Sequence, residues 1–351
     1  MAKTAAEGEG SSVSSTSSKT LRFGILGTGG MGTSHAREIL ARPDATVVAL
    51  CDASEEALAR AVRRLHGATV PHEAQPVQYT SLARMLDEAD LDAVVIATPH
   101  TQHTEHIRAC LEAGKHVLCE KPMATTAADA RAAIDLAERR GLTLAVAYQR
   151  HGQALYKKAR EVVASGLLGD VRLVTVLIAQ DCLEHFLPGR TWRADPVLSG
   201  GGHFMDTGSH IVDMMLWVSG LEPESVYAQI DTFGTLVDVL TALTLRFANG
   251  AVGTFAATSL SAEPWREEFS FYGTEGVLTI RSDGLRYQTK GGDTIIPRVE
   301  GRDVRPVENV IAAIRGEVPA PQAPPVYGLR VAQVTEAAYK SAQSGLPERV
   351  G

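Results

Sequence analysis

Between Leu21 and Ala147, short apolar runs alternate with stretches of helical periodicity. The runs Arg22–Leu26, Thr46–Cys51, Ala93–Ala97, His116–Cys119 and Thr143–Ala147 predict strands. The segments between them predict helices starting near Met31, Glu55, Ser81, Thr101 and Thr126. Strand and helix in strict alternation predict an α/β fold with a Rossmann-type, doubly wound parallel sheet. The run Ala93–Ala97 has no polar alternation, which predicts a central strand buried on both faces.

Past Arg150 the period changes. One helical stretch, Ala154–Ser165, precedes alternating runs at Val171–Ala179, Ser225–Thr232, Leu240–Phe247, Val252–Thr258, Phe269–Tyr272 and Val277–Ile280. Asn249-Gly250 and Gly273-Thr274-Glu275-Gly276 are hairpin signals between neighbouring runs. This half predicts an α+β domain built on a mostly antiparallel sheet. The proline-rich piece Pro319–Pro325 reads as an extended strap before a closing helix, Gly328–Ser344. Strands Leu240–Phe247 and Val252–Thr258 are only mildly polar on either face, so one face of that sheet asks for a partner subunit.

The expected organisation is a serine-rich, disordered tail over 1–20, a nucleotide-binding domain over 21–148, and a substrate and oligomerisation domain over 149–351. Six of the eight residues from Ser11 to Ser18 are serine, with no apolar core for a signal peptide. At 351 residues the chain suits two domains, and 44 % hydrophobic with 21 % charged residues is ordinary globular composition. A net charge of −7 argues against nucleic acid or an anionic membrane as partner. The four cysteines form no C-x-x-C pair and read as reduced core thiols, which suits a cytoplasmic protein.

The chemistry begins at Gly27-Thr28-Gly29-Gly30-Met31-Gly32, a G-x-G-x-x-G turn between the first strand and the first helix. In such a turn the first glycine makes the bend and the second lets backbone amides approach a pyrophosphate. The third packs helix on strand. Asp52 ends the second strand, twenty residues past Gly32, where a carboxylate grips the hydroxyls of the adenosine ribose. No base follows it before Arg60, so NAD is expected over NADP, whose phosphate the acid would repel.

Two further clusters stand out. Glu120-Lys121-Pro122 directly follows the run His116–Cys119, which puts a lysine at the carboxyl end of a parallel strand, facing the ligand crevice. A surface lysine in a turn would fit the same spacing. The second is Gly200-Gly201-Gly202-His203-Phe204-Met205-Asp206, continuing to His210 and Asp213. Three glycines open a helix, leaving bare amides toward whatever lies in front. Asp206 and His210, four apart, share a helical face. A plain capping or surface pair has the same spacing. With a lysine across a cleft, the pair suits oxidation of a secondary alcohol. The histidine takes the hydroxyl proton, the aspartate fixes its tautomer, and the ammonium steadies the developing alkoxide.

Read in order, the glycine turn, Thr98-Pro99-His100-x-x-His103, Glu120-Lys121-Pro122 and the glycine-rich helix resemble the Gfo/Idh/MocA oxidoreductases from about Leu21 onward. The resemblance implies catalytic roles for Lys121, Asp206 and His210. It implies cofactor contacts from Gly27, Gly29, Gly30, Met31, Gly32, Asp52, Thr98, Pro99, His100, His103, Glu120, Lys121 and Gln149. Substrate contacts are implied for Arg150, Trp192, Arg193 and His203. His100 stands where relatives commonly have asparagine. His100, His103 and His106 lack a thiol partner, and no metal is expected.

Three functions fit these residues. The first is an NAD-dependent dehydrogenase or reductase of a sugar, sugar derivative or cyclitol, assembled as a homodimer or homotetramer through the second sheet. The second is an NAD-dependent glycosidase working through transient ring oxidation. The third is a ligand-sensing regulator without catalysis, disfavoured because Lys121, Asp206 and His210 are all present.

Overall fold

Parallel strands need a crossover between them, and the helical segments of residues 21–148 supply it. The computed structural model describes residues 19–65 and 75–351, so almost all of the serine-rich tail lies outside the described residues. Six strands form the first sheet: β1 Leu21–Leu26, β2 Ala45–Cys51, β3 Val77–Tyr79, β4 Ala93–Ile96, β5 His116–Cys119 and β6 Leu144–Val146. Their order is β3-β2-β1-β4-β5-β6, and every pairing is parallel. The order reverses between β1 and β4, so the ligand crevice opens at the carboxyl ends of those strands. β4 is buried throughout, as its unbroken apolar run requires. β3 was not legible in the pattern, because two of its three residues face solvent at the sheet edge.

Ser81 and Thr126 are the caps, not the first residues, of helices Leu82–Glu88 and Ala127–Arg140; each side chain accepts a backbone N–H of the first turn. The helix expected from Thr101 starts at His103, after a tight turn over His100–Gln102.

The second sheet has nine strands: β7 Val171–Asp181, β8 Pro223–Asp231, β9 Leu240–Phe247, β10 Val252–Thr258, β11 Leu260–Gly273, β12 Gly276–Arg281, β13 Gly284–Thr289, β14 Thr294–Ile295 and β15 Glu348–Arg349. Their order is β14-β13-β12-β11-β7-β10-β9-β8-β15. Only β7 with β10 runs parallel; the other pairings are antiparallel. Period-two alternation points Val174, Val176 and Ile178 of β7, Phe255 of β10, and Phe269 and Phe271 of β11 inward. Helices Ala154–Ala164, Ser209–Ser219 and Pro325–Ser344 pack on this sheet. β11 begins at Leu260, well before the predicted Phe269, because the polar stretch Glu263–Glu268 conceals a strand that still pairs with β7.

The chain ends by crossing back. Helix Pro306–Ile314, absent from the expectation, packs on the first helix and on β5 and buries Val307, Val310 and Ile311 in the same core cluster as Phe23, Ile25 and Leu50. Its leading proline is an N-terminal signal that the sequence did offer. The proline-rich strap then binds both halves: Ala323 O accepts from Val146 N at 3.1 Å, and Gln322 O contacts His151 Nδ1 at 2.9 Å. The closing helix starts at Pro325, three residues before the expected Gly328.

Candidate active site

The glycine turn closes tightly on itself. A Cβ on Gly32 would sit 1.9 Å from the Gly27 carbonyl oxygen, so helix and strand meet only over a glycine. Gly29 and Gly30, by contrast, have no atom of the described residues within 4 Å of where a Cβ would stand, and no side chain among those residues caps helix Gly30–Leu40. An open, uncapped helix start beside a glycine cradle fits a pyrophosphate. Asp52 closes the other end of the cradle. Its Oδ2 accepts from Thr28 N at 2.8 Å and from Thr28 Oγ1 at 2.9 Å, which fixes the carboxylate against the turn.

Glu120 and Lys121 emerge from β5 beside this cradle, and the Lys121–Pro122 bond is cis. Glu120 is buried and meets His35 Nε2 of the first helix at 2.7 Å. Burial opposes both charges, yet the mutual hydrogen bond prevails: His35 is raised and Glu120 lowered from their ordinary values. His103 ties the loop after β4 to the lysine turn, with Nδ1 2.7 Å from Pro122 O and Nε2 2.8 Å from Thr98 O. His106 Nδ1 pairs with Thr98 Oγ1 at 2.9 Å, so these two histidines stabilise a loop.

Lys121 crosses the cleft. Its Nζ donates to Asp206 Oδ1 at 2.7 Å and to the Asp206 carbonyl at 3.2 Å. Arg193 Nε donates to Asp206 Oδ2 at 2.6 Å, and its guanidinium lies 4.6 Å from the Trp192 ring centroid. His100 Nε2 stands 3.6 Å from Asp206 Oδ1, while its Nδ1 is 3.1 Å from Ser199 O. The residue that departs from the family pattern therefore stands beside the Asp206 carboxylate, with its own basicity lowered by burial. Burial works against the Asp206 carboxylate, but Lys121, His100 and Arg193 together hold it well below the usual range.

Three expectations are corrected here. Asp206 does not orient His210: Lys121 and Arg193 hold its carboxylate, and no hydrogen bond to the His210 ring is recorded among the described residues. His210 instead sets its ring edgewise to Tyr148, centroids 6.0 Å apart. Its imidazole is pushed well below its ordinary value by burial first, then by the Lys121 and Arg150 cations. Second, the glycine-rich helix start offers no bare amides. The Asp238 carboxylate accepts from Gly202 N and Phe204 N, each at 2.7 Å, and from Tyr339 Oη at 2.5 Å. Gly202 is required because its Cβ would stand 1.9 Å from the Asp238 carbonyl oxygen. Third, His203 is buried and meets Gln180 Oε1 at 2.7 Å. That places it behind the Asp206 helix turn, within the interior. The helix itself opens with a π-helical turn, Phe204–Gly208, before the α-helix Ser209–Ser219.

Behind the cluster, His151 pairs with Asp213 at 2.9 Å, both fully buried. Arg150 forms an ion pair with Glu267, which also accepts from Tyr156 Oη at 2.5 Å. Sequence reasoning missed Asp238, Glu267 and Gln180. Asp238 did carry a signal, since an acid between Val237 and Val239 reads as buried and therefore bonded.

Comparison with known proteins identifies the family. Residues 21–148 match the family profile described as oxidoreductase family, NAD-binding Rossmann fold. Residues 156–279 match the GFO/IDH/MocA C-terminal domain. The D-glucoside 3-dehydrogenase of Escherichia coli is 29 % identical over 95 % of this chain and 98 % of that protein. Myo-inositol 2-dehydrogenase of Thermotoga maritima is 27 % identical over 77 % of each. The WlbA dehydrogenase of Bordetella pertussis, solved with NADH and UDP-GlcNAcA, superimposes with a TM-score of 0.83 at 26 % identity, covering 95 % of this chain and 98 % of that one. Two profiles of one family, met in order along a single chain, make it a member of the Gfo/Idh/MocA oxidoreductases, an NAD-binding enzyme.

Proposed function

We propose that this enzyme interconverts a secondary alcohol and a ketone on a sugar, sugar derivative or cyclitol. The observation that carries the reading is the bridge from Lys121 Nζ to Asp206 Oδ1 at 2.7 Å, which joins the nucleotide-binding edge to the helix bearing His210. Bound NAD supplies the acceptor for the hydride that leaves the alcohol carbon. His210 takes the hydroxyl proton, and its depressed basicity keeps it neutral and ready at neutral pH. Lys121 presents an ammonium to the oxygen as negative charge grows there. Asp206 positions that ammonium, and Arg193 and His100 anchor the carboxylate in turn. The glycine cradle and Asp52 hold the dinucleotide, with Thr98, Pro99 and Gln149 along its edge. Arg150, Trp192 and Arg193 border the substrate side.

Relatives named for inositol and for a glucoside support a carbohydrate substrate. Purified enzyme incubated with NAD should reduce it when given at least one member of a panel of polyols, aldoses and glycosides. NADH binding without turnover on any of them would overturn the reading. The second sheet turns Thr175 and Leu177 of β7, Thr254 and Ala256 of β10 and Thr244 of β9 to the face opposite its buried core. We propose that this face pairs subunits as a dimer or tetramer, and a monomer by light scattering would remove the claim.

A further inference from the structure

A cavity of about 200 Å³ opens beside the candidate active site, between helix Ala154–Ala164 and strands β11 and β12. Gln149, Arg150, Tyr156, Trp265, Glu267 and Arg281 supply its distinctive walls. Its place relative to the reacting groups follows from strand register. Trp265 pairs with Gln180 and Glu267 with Ile178, so both point to the same inward face as those partners. Gln180 in turn holds His203, three residues before Asp206. Arg150 closes the gap from the other side, near enough to His210 to depress its basicity.

The cavity's charges are already matched. Arg150 pairs with Glu267, whose second oxygen accepts a hydrogen bond from the Tyr156 hydroxyl, and Arg281 pairs with Glu268 at 2.9 Å. An anionic ligand, a phosphate or carboxylate, would have to break one of these pairs to find a cation. Trp265 nevertheless leaves half of its surface exposed, with its indole bordering the cavity. An aromatic face together with the amide of Gln149 suits a neutral ring with one apolar face and hydroxyls at its edge. The volume falls below the roughly 300–1,000 Å³ of pockets for larger ligands, which limits the occupant to about one ring.

We propose that this cavity is a second-ring subsite, so that the substrate is a glycoside whose oxidised ring lies at Lys121 and His210 and whose attached ring lies against Trp265. The inference rests on the proposed dehydrogenase reading and narrows its substrate from any sugar or cyclitol to a neutral glycoside. It predicts that kcat/KM for cellobiose exceeds that for methyl β-glucoside, and that Trp265→Ala removes on the order of tenfold of that ratio. Trp265→Tyr, which keeps an aromatic face, should retain most of it and guards against a variant that merely fails to fold. Equilibrium binding of both sugars to the NADH-loaded enzyme is read alongside turnover. Ring-dependent binding without oxidation would sink the dehydrogenase reading and leave the subsite standing. Equal kcat/KM and equal binding for the two sugars, or a ratio that survives in Trp265→Ala, overturns the subsite.

Discussion

Replacing Lys121 with methionine removes an ammonium while keeping a side chain of similar length. The wild-type group donates to Asp206 Oδ1 at 2.7 Å and to the Asp206 carbonyl at 3.2 Å, and in the proposed reaction it faces the substrate oxygen. Loss of one donor to a developing oxyanion costs about 2.7–4 kcal/mol, a fall in turnover on the order of 10²–10³. The fold should survive, because Arg193 still holds Asp206 Oδ2 at 2.6 Å and keeps the carboxylate paired. NADH binding should survive too, since the glycine turn and the Asp52 contacts to Thr28 do not involve Lys121.

The same variant makes a second statement about pH. His210 is held well below its ordinary value by burial, then by Lys121 and Arg150, so in wild type it is unprotonated through neutral pH. Removing Lys121 deletes a like charge and leaves Asp206 less neutralised, and both changes favour the imidazolium. The acid limb of the kcat/KM profile, where activity rises as the base loses its proton, should therefore move to higher pH in Lys121→Met. Single-turnover alcohol oxidation with NAD already bound is the decisive assay. A rate equal to wild type, or an acid limb that stays in place, would refute the assignment of both residues.

Three other perturbations test the supporting structure. Asp52→Ala should weaken NADH binding and erode a preference over NADPH that is worth on the order of 1–3 kcal/mol in wild type, read by cofactor titration; wild-type affinities that are equal for the two would contradict the ribose role. His35→Ala strands the buried Glu120 carboxylate and should cost about 3–5 kcal/mol in urea unfolding, with His35→Gln losing less. Because Glu120 is lowered and His35 raised, that pair contributes fully between about 4.5 and 6.5. Its contribution fades as pH falls through the Glu120 value or rises through that of His35, and a flat pH–stability difference between wild type and His35→Gln would count against it. Asp238→Ala leaves the amides of Gly202 and Phe204 without their acceptor, for about 1–3 kcal/mol each, and should lower kcat by loosening the turn that carries Asp206.

The nucleotide-binding half was legible because its signals are local. The G-x-G-x-x-G turn, the apolar run of β4 and the helix starts within one residue of Ser81 and Thr126 each follow from residues a few positions apart. What escaped was set by distant partners. β3 has one buried residue and is a strand only because Ala49 to Cys51 pair with it. The first half of β11 reads as polar loop and becomes a strand by pairing with β7. Helix Pro306–Ile314 shows a short apolar stripe, but nothing local says that it returns to the first sheet.

The site divides along the same line. Lys121, Asp206 and His210 were identifiable by type and order, whereas their connections were not. Spacing four apart on a helix suggested an Asp206–His210 pair, but an aspartate turns toward the strongest donors within reach. Here those are an ammonium from the end of β5 and a guanidinium from the segment after β7, with His100 from the loop after β4 close by. Each comes from a different stretch of chain, and two of the three belong to the first sheet while Asp206 lies on a helix of the second. A carboxylate so deeply buried needs at least one cation paired with it. Docking of the two halves therefore brings Lys121 and His100 to a carboxylate that Arg193 of its own half already holds, and the ammonium that reaches the substrate oxygen is in position only once that has occurred.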